Sequence, residues 1–177
     1  MEIQFITGNI NKFKEAQTII PELVQLDIDL PEIQEIDAQE VIKAKLIEAQ
    51  RHHGGKLIVE DTSLYLDCLN GLPGPLIKWF EKTIGNEGLY DVAKKHNNFK
   101  AQARTIVGYS DENGNLQFFS GTVKGTIVSS RGSNDFGWAP IFELEESGKT
   151  FAQMMDEEKN ICSMRTIAFK KLKDFVI

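Results

Sequence analysis

The chain has 177 residues, about the size of one ordinary domain, and we expect a single domain over residues 1–177. Hydrophobic residues make up 41% and charged residues 26%, so the chain can form a buried core beneath a polar surface. A formal net charge of −6 argues against general nucleic-acid binding, which usually depends on a basic face. It leaves open a phosphate-bearing small molecule, because a few cations that converge on one cleft set the local field there.

The same sequence predicts no contact with membranes. No apolar run approaches the roughly 18 residues that a membrane span needs, and residues 1–5 lack the basic segment of a signal peptide. Cys68 and Cys162 lack C-x-x-C spacing and have no histidine at zinc-site spacing, which suits a reducing compartment without structural zinc. We therefore expect a cytoplasmic protein.

The first half of the chain alternates between strand and helix patterns. Residues 3–6 predict a short buried strand, and a Gly-Asn turn leads into a helix over about 11–20. A second helix begins at Asp37, with Glu40 in a capping-box relation, and runs to about His53. Residues 57–59 form an apolar strand, and the rigid turn 72–75 leads into a helix that starts at Pro75 and continues past Phe80.

The second half changes to hairpins and ends in a helix. Residues 101–109 and 116–123 are strand-like and are joined through Asp111–Gly114, where Asn-Gly is a strong hairpin signal. A further strand is predicted near 126–128, and a helix over about 156–175. The order of these elements predicts an α/β fold, with a mixed sheet flanked by helices and two lobes around a cleft.

The turn after the first strand is a candidate phosphate site. Thr7, Gly8 and Asn9 stand between a strand and a helix start, where backbone N–H groups and the helix dipole favour an anion. Lys12 adds a positive charge in the first turn. The segment matches neither the Rossmann nor the P-loop fingerprint, so a plain strand-to-helix turn is the alternative.

Adjacent carboxylates follow the apolar strand 57–59. Glu60 and Asp61, with Thr62, come where open α/β sheets bind ligands, and two neighbouring carboxylates repel each other unless a cation balances them. Oxygen ligands suit Mg²⁺, which bridges carboxylates to substrate phosphates, and Glu32 is a further carboxylate for such a site. The alternative is an exposed acidic turn.

Basic residues interrupt the apolar stripes of two predicted helices. Lys45 stands in the stripe of the second helix, and Arg165 in that of the last. A buried charge without a partner is costly, so each either extends its charged group to solvent or meets a counter-charge. The functional interpretation is that both reach into one anionic cleft. Lys159 and Ser163, four residues apart, would line the same side of that cleft as Arg165.

The loop 134–140 places Gly137 between the rings of Phe136 and Trp138. Nucleobases stack on such aromatic platforms for about 1–3 kcal/mol each. The alternative is a loop whose rings anchor it to the core.

Read together, these segments resemble the inosine triphosphate pyrophosphatase (Ham1-like) family nearly end to end. The matching segments are Thr7-Gly8-Asn9 with Lys12, Leu30-Pro31-Glu32, Val59-Glu60-Asp61-Thr62, Gly71-Leu72-Pro73-Gly74-Pro75 through Ile77-Lys78-Trp79-Phe80, Arg131-Gly132, Asp135-Phe136-Gly137-Trp138, and Glu158-Lys159-Asn160 with Ser163 and Arg165. The resemblance implies an elongated mixed sheet in two lobes around a cleft, and a homodimer. It also implies Mg²⁺-dependent hydrolysis of inosine and xanthosine triphosphates to monophosphate and pyrophosphate.

The resemblance implies a role for each candidate residue. Glu32 and Asp61 would hold the metal with Glu60 beside them, and Asp61 or Glu60 would orient or deprotonate the attacking water. The phosphates would be bound by Lys12, Lys45, Lys159 and the Thr7–Asn9 turn. The base end would be formed by Phe136, which stacks, together with Gly137, Trp138, Ser163 and Arg165.

Two positions depart from the family pattern. Ala139 stands where the family usually has Asp, and Met164 where it usually has His. Both changes remove polar groups from the expected base end, and apolar sites discriminate weakly. We expect the phosphate chemistry to be retained with a less sharp base preference. The alternatives are a nucleotide-binding protein without turnover and a pyrophosphatase for other nucleotides.

Overall fold

The computed structural model describes residues 2–133 and 137–177 as an α/β fold built on a mixed sheet of seven strands. The strands are β1 (Ile3–Ile6), β2 (Leu23–Leu26), β3 (Lys56–Leu66), β4 (Pro73–Gly74), β5 (Lys100–Ser110), β6 (Leu116–Ile127) and β7 (Phe142–Leu144). The helices are α1 (Ile10–Ile19), α2 (Ala38–His52), α3 (Ile77–Thr83), α4 (Gly85–Lys95), α5 (Asp156–Cys162) and α6 (Met164–Val176).

The strand order is β2-β1-β3-β5-β6-β7, with the short β4 paired to the far end of β3. β1 runs parallel to both β2 and β3, whereas the pairs β3/β5, β5/β6 and β6/β7 are antiparallel. The expected mixed sheet is therefore confirmed. β3, β5 and β6 have 11, 11 and 12 residues, which makes the sheet long in the strand direction.

The long strands carry separate cores at their two ends. At one end α2 covers one face of the sheet, including Leu57 and Val59, while α1 and α6 cover the opposite face, including Ile58. At the other end a distal core contains Leu64 and Leu66 of β3 and packs against α3 and α4. Alternation along β3 explains the two covered faces, since successive side chains point to opposite sides. The residues between these cores lie at the middle of the strand.

Several predicted elements need correction. The strand predicted at 57–59 continues to Leu66, so Glu60, Asp61 and Thr62 are inside β3 and not in a turn after it. The strands predicted at 116–123 and 126–128 are one strand, β6. β2 and β7 were not predicted, and neither was the separate helix α4.

The helix boundaries also differ from the prediction at three places. The last helix is two helices, because Ser163 ends α5 and begins α6. Asp37 caps α2 by accepting from Gln39, but its own amide donates to Glu35 and not to Glu40, so the capping box is absent. The helix predicted from Pro75 begins at Ile77.

Within 2–133 and 137–177, none of the helices is long and apolar enough to cross a membrane.

Candidate functional site

The predicted carboxylates lie at the centre of β3, between the cores of its two ends. Glu60 pairs with Val107 of β5 and Asp61 pairs with Ile106, so both backbones are held in an antiparallel ladder. The alternation that separates Ile58 from Val59 also separates these side chains. Glu60 therefore faces α1 and α6, and Asp61 faces α2.

Glu60 is the buried member of the pair. Its side chain is 1% exposed, and its oxygens meet Lys12 Nζ at 2.6 Å and Arg165 Nε at 3.2 Å. Both contacts are ion pairs between a buried carboxylate and a cation. Burial alone would raise the pKa of Glu60, but Arg165 and Lys12 outweigh it and lower the pKa to about 2. Glu60 is therefore ionised at neutral pH.

Arg165 is held in place by several partners on this face. Besides Glu60, its Nη1 meets Glu15 Oε2 at 2.6 Å and its Nη2 donates to Thr62 Oγ1 at 3.4 Å. Thr62 is fixed in turn by a 2.7 Å bond between its hydroxyl and that of Thr105 on β5. Burial would lower the pKa of Arg165, but the charges of Glu60 and Glu15 raise it. The guanidinium therefore meets carboxylates of the protein and does not extend to solvent.

Asp61 has fewer favourable contacts than its neighbour. Its side chain is 21% exposed, and its nearest cation among the described residues is Lys12 Nζ at 3.9 Å. Burial raises the pKa of Asp61, and repulsion from Glu60 and Glu32 adds to that effect, so the attraction of Lys12 and Lys45 is outweighed. Asp61 carries an incompletely balanced charge in the isolated chain.

Lys45 and Glu32 complete the α2 side of the site. Lys45 Nζ lies 2.6 Å from Glu32 Oε2, and its side chain is 14% exposed. Burial would lower the pKa of Lys45, but the negative charges of Asp61 and Glu32 outweigh it and raise the pKa. The Lys45 ammonium is therefore stabilised by both carboxylates. Across residues 2–133 and 137–177, no three His, Cys, Asp or Glu side chains come together as a ready-made metal cage.

The turn at Thr7–Asn9 differs from the predicted anion cradle in one respect. Asn9 caps α1, and its Oδ1 accepts from the amides of Asn11 at 3.0 Å and Lys12 at 3.1 Å. The Asn9 amide donates to Thr7 Oγ1 at 3.1 Å. These three amides are engaged inside the turn, so the Lys12 ammonium is the group that the turn directs to the site.

The α5–α6 junction lies beside the same site. Ser163 is buried, and its hydroxyl caps α6 by accepting from the Thr166 amide at 3.1 Å. Lys159 is mostly buried, although its Nζ reaches the exposed Asp156 at 3.5 Å. Arg165 follows in the first turn of α6, so this junction carries all three predicted residues of the last segment.

The aromatic loop is only partly described, and Phe136 lies outside the described residues. Gly137 adopts a positive φ of 60°, and its carbonyl accepts from Asn86 Nδ2 at 3.0 Å. Trp138 packs edge-on against Phe142 and Phe151 with ring centroids 5.5 and 6.2 Å apart. The Trp138 ring thus anchors the loop to the distal core.

The two positions that depart from the family pattern lie against the same distal core. Met164 is 7% exposed and Ala139 is partly buried there. Neither therefore presents a freely exposed side chain.

Three residues that hold the site together were not predicted. Glu15 pairs with Arg165, Thr105 orients Thr62, and Asn86 bonds the aromatic loop. Glu15 had a detectable signal, because its spacing of three from Lys12 puts both on one face of α1. Thr105 and Asn86 had none, since their partners are 43 and 51 residues away in the chain.

The chain is similar to known proteins over nearly its whole length. The profile described as the Ham1 family matches residues 3–175, and the chain belongs to the Ham1 family. It is 42% identical over 185 residues to the inosine triphosphate pyrophosphatase of Kluyveromyces lactis, covering 99% of this chain and 95% of the relative. It is 38% identical over 188 residues to the protein of the same name from Saccharomyces cerevisiae, with coverage of 99% and 95%.

The fold is also similar to that of a solved Ham1 protein. The Ham1 protein of Staphylococcus aureus superimposes with a TM-score of 0.86 at 26% identity, covering 99% of this chain and 98% of that one.

Proposed function

We propose that this chain is a magnesium-dependent nucleoside triphosphate pyrophosphatase, which hydrolyses inosine or xanthosine triphosphates and their deoxy forms to monophosphate and pyrophosphate. The observation that carries the proposal is the pair Glu60 and Asp61 at the middle of β3, surrounded by Lys12, Lys45 and Arg165. The names of the relatives from Kluyveromyces lactis and Saccharomyces cerevisiae support the same reaction.

In the proposed complex, the phosphates are bound by the cations on both faces of β3. Lys12 and Lys45 approach from α1 and α2, and Lys159 from α5, with Thr7–Asn9 beside Lys12. Lys12 and Lys45 form ion pairs with carboxylates in the isolated chain, so substrate phosphates would compete for charges that are already directed inward. Such cations stabilise the charge that develops on the leaving pyrophosphate.

The donor set around Asp61 fits Mg²⁺. The ion prefers oxygen ligands, keeps several waters and needs only one or two carboxylates plus substrate phosphates, so a complete protein cage is not required. Glu32 and Asp61 are partly exposed and would hold the metal, whereas Glu60 is buried beside them. When bound, Mg²⁺ would neutralise phosphate charge and polarise the phosphoryl group.

Asp61 is the proposed general base, with Glu60 as its neighbour. A general base must lie within reach of the proton that it takes. Asp61 is the partly exposed carboxylate of the pair, whereas Glu60 is buried and held by Lys12 and Arg165. It would take a proton from the water that attacks the α phosphorus, and the bond from that phosphorus to the β-phosphate oxygen would break. Glu60 would hold Lys12 and Arg165 at their positions while this occurs.

The base would be bound by the loop and the α5–α6 junction. We propose that Phe136 stacks on the purine and that Gly137, Trp138, Ser163 and Arg165 line that end. Ala139 and Met164 offer no polar group for the purine edge, which favours a broader base preference. The same two residues motivate the alternatives of a nucleotide-binding protein without turnover and of an enzyme for other nucleotides.

We also propose a cytoplasmic homodimer. Light scattering coupled to gel filtration would give a mass near twice the 20.0 kDa of the chain.

A substrate panel tests the reaction. The protein is incubated with Mg²⁺ and each of ITP, dITP, XTP, ATP, GTP and dUTP, and pyrophosphate and monophosphate are measured. We expect release from the inosine and xanthosine substrates, and loss of release in Asp61→Asn but not in Lys43→Ala, which alters an exposed ion pair on α2. Binding without release would favour the nucleotide-binding alternative, and release of orthophosphate would contradict the proposed bond.

A further inference from the structure

The segment that carries Glu32 is an exposed loop between β2 and α2. Residues 27–37 form no helix or strand, and the side chains from Pro31 to Asp37 are all exposed. The loop nevertheless places Glu32 2.6 Å from Lys45 at the site. A loop with so little burial needs specific contacts to keep one carboxylate in place.

Gln34 provides such a contact, because its amide group bonds in two directions. Its Oε1 accepts a hydrogen bond from Trp79 Nε1, and its Nε2 donates to the Glu32 carbonyl at 3.4 Å. Trp79 lies on α3, at the distal end of the sheet. Among the described residues, this is the only hydrogen bond from residues 27–37 to that end. This bond connects the loop that carries Glu32 to α3 at the distal end of the sheet.

Trp79 is a suitable anchor for this contact. Its ring is 47% exposed, but the ammonium groups of Lys78 and Lys82 lie 5.7 and 5.5 Å from its centroid. Cation–π contacts of this kind favour one ring orientation. The indole N–H of this ring is the donor of the hydrogen bond to Gln34.

From this connection we propose that Trp79, acting through Gln34, is a positioning residue for Glu32. The inference rests on the proposed function, in which Glu32 helps to hold Mg²⁺. Trp79 and Gln34 act on Glu32 and not on the substrate. Both restrict the backbone at Glu32, so that its carboxylate stays on the side of Lys45 and Asp61.

The test compares variants of the two residues in the hydrogen-bonded connection from Trp79 through Gln34 to Glu32, which we call the relay. Trp79→Phe removes the N–H donor and keeps an aromatic ring, and Gln34→Ala removes both hydrogen bonds of the side chain. The matched control is Thr83→Val, which removes a 2.7 Å bond to the Trp79 carbonyl on the same helix without affecting the loop. Circular dichroism and thermal unfolding establish that each variant is folded.

The first measurement is independent of activity. A glutamate-specific protease is added to the metal-free protein, and cleavage after Glu32 and Glu35 is followed by mass spectrometry. Losing one hydrogen bond should speed cleavage about two- to twelvefold in Trp79→Phe. Gln34→Ala also loses the bond to the Glu32 carbonyl and should be cleaved at least as fast. The double variant should be no faster than the faster single one, because the two residues act in series. Thr83→Val should match the wild type.

The second measurement is the Mg²⁺ concentration for half-maximal pyrophosphate release. This concentration should rise about two- to twelvefold in Trp79→Phe and at least as much in Gln34→Ala, with kcat at saturating Mg²⁺ within about twofold of wild type in both. Unchanged cleavage, additive effects in the double variant, or a fall in kcat without a change in Mg²⁺ requirement would overturn the inference. If the wild type hydrolyses no triphosphate, the proposed function fails, and the cleavage rates alone decide for or against the relay.

Discussion

Neutralising the two adjacent carboxylates of β3 should change stability in opposite directions. Glu60→Gln and Asp61→Asn each remove one negative charge from the middle of the same strand. A pKa lowered from 4.5 to about 2 means that the fold favours the Glu60 carboxylate over its neutral form by roughly 3 kcal/mol. Glu60→Gln should therefore lower the free energy of unfolding at pH 7 by about that amount. The pKa of Asp61 is raised, so its charge is a cost, and Asp61→Asn should raise the same quantity.

The pH dependence gives a second check on Glu60. Because its pKa is depressed in the fold, its contribution is complete above about pH 4.5 and is lost as the pH falls toward about 2. The difference in unfolding free energy between wild type and Glu60→Gln should shrink to less than half of its pH 7 value at pH 3.

Urea unfolding of metal-free protein, followed by circular dichroism from pH 7 to pH 3, measures these differences. Two results would refute the assignment of the paired charge to Glu60. One is a difference in unfolding free energy between wild type and Glu60→Gln that does not change with pH. The other is an equal loss of unfolding free energy from both substitutions at pH 7.

Three further outcomes are expected. Gly121→Ala puts a Cβ 2.0 Å from the Met164 carbonyl and should destabilise the protein by about 1–3 kcal/mol in thermal unfolding, whereas Gly54→Ala has open space and should not. Lys45→Ala should lower kcat/KM about ten- to a hundredfold by removing a charged hydrogen-bond donor, and an effect no larger than that of Lys43→Ala would contradict this. Combining Ala139→Asp with Met164→His should raise the ratio of kcat/KM for ITP over ATP. Because Met164 is 7% exposed, the histidine should also cost about 1–3 kcal/mol of stability, and an unchanged ratio would place base recognition elsewhere.

Local sequence signals predicted the elements whose stability depends on nearby residues. The Asp111–Gly114 turn and its two strands are present as expected, because turn residues and hairpin register are adjacent in the chain. β2 depends on parallel pairing with β1, and its four residues carry no pattern that separates them from a loop. The charged middle of β3 has low strand propensity, but its ladder with β5 overrides that preference.

The site was predictable where burial conflicted with polarity. Lys45 and Arg165 interrupt apolar stripes, and both are mostly buried with carboxylate partners. The amides of the Thr7–Asn9 turn were not predictable in the same way. Asn9 can cap α1 or leave the amides for a ligand, and only the folded turn shows that the cap forms. The break at Ser163 has a similar origin, since neither glycine nor proline marks it.

The alternation of β3 explains why the two carboxylates differ. On the α1 and α6 face, Glu60 and Glu15 meet Lys12 and Arg165, so the negative and positive charges are equal in number. On the α2 face, Lys45 pairs with Glu32, and Asp61 has only the more distant Lys12 ammonium, at 3.9 Å, within ion-pair range among the described residues. Burial raises the pKa of Asp61, and repulsion from Glu60 and Glu32 adds to that effect. A bound cation would be favoured on that face and not on the other, so Asp61 and Glu32 are the metal carboxylates we propose, while Glu60 serves as the counter-charge of Lys12 and Arg165.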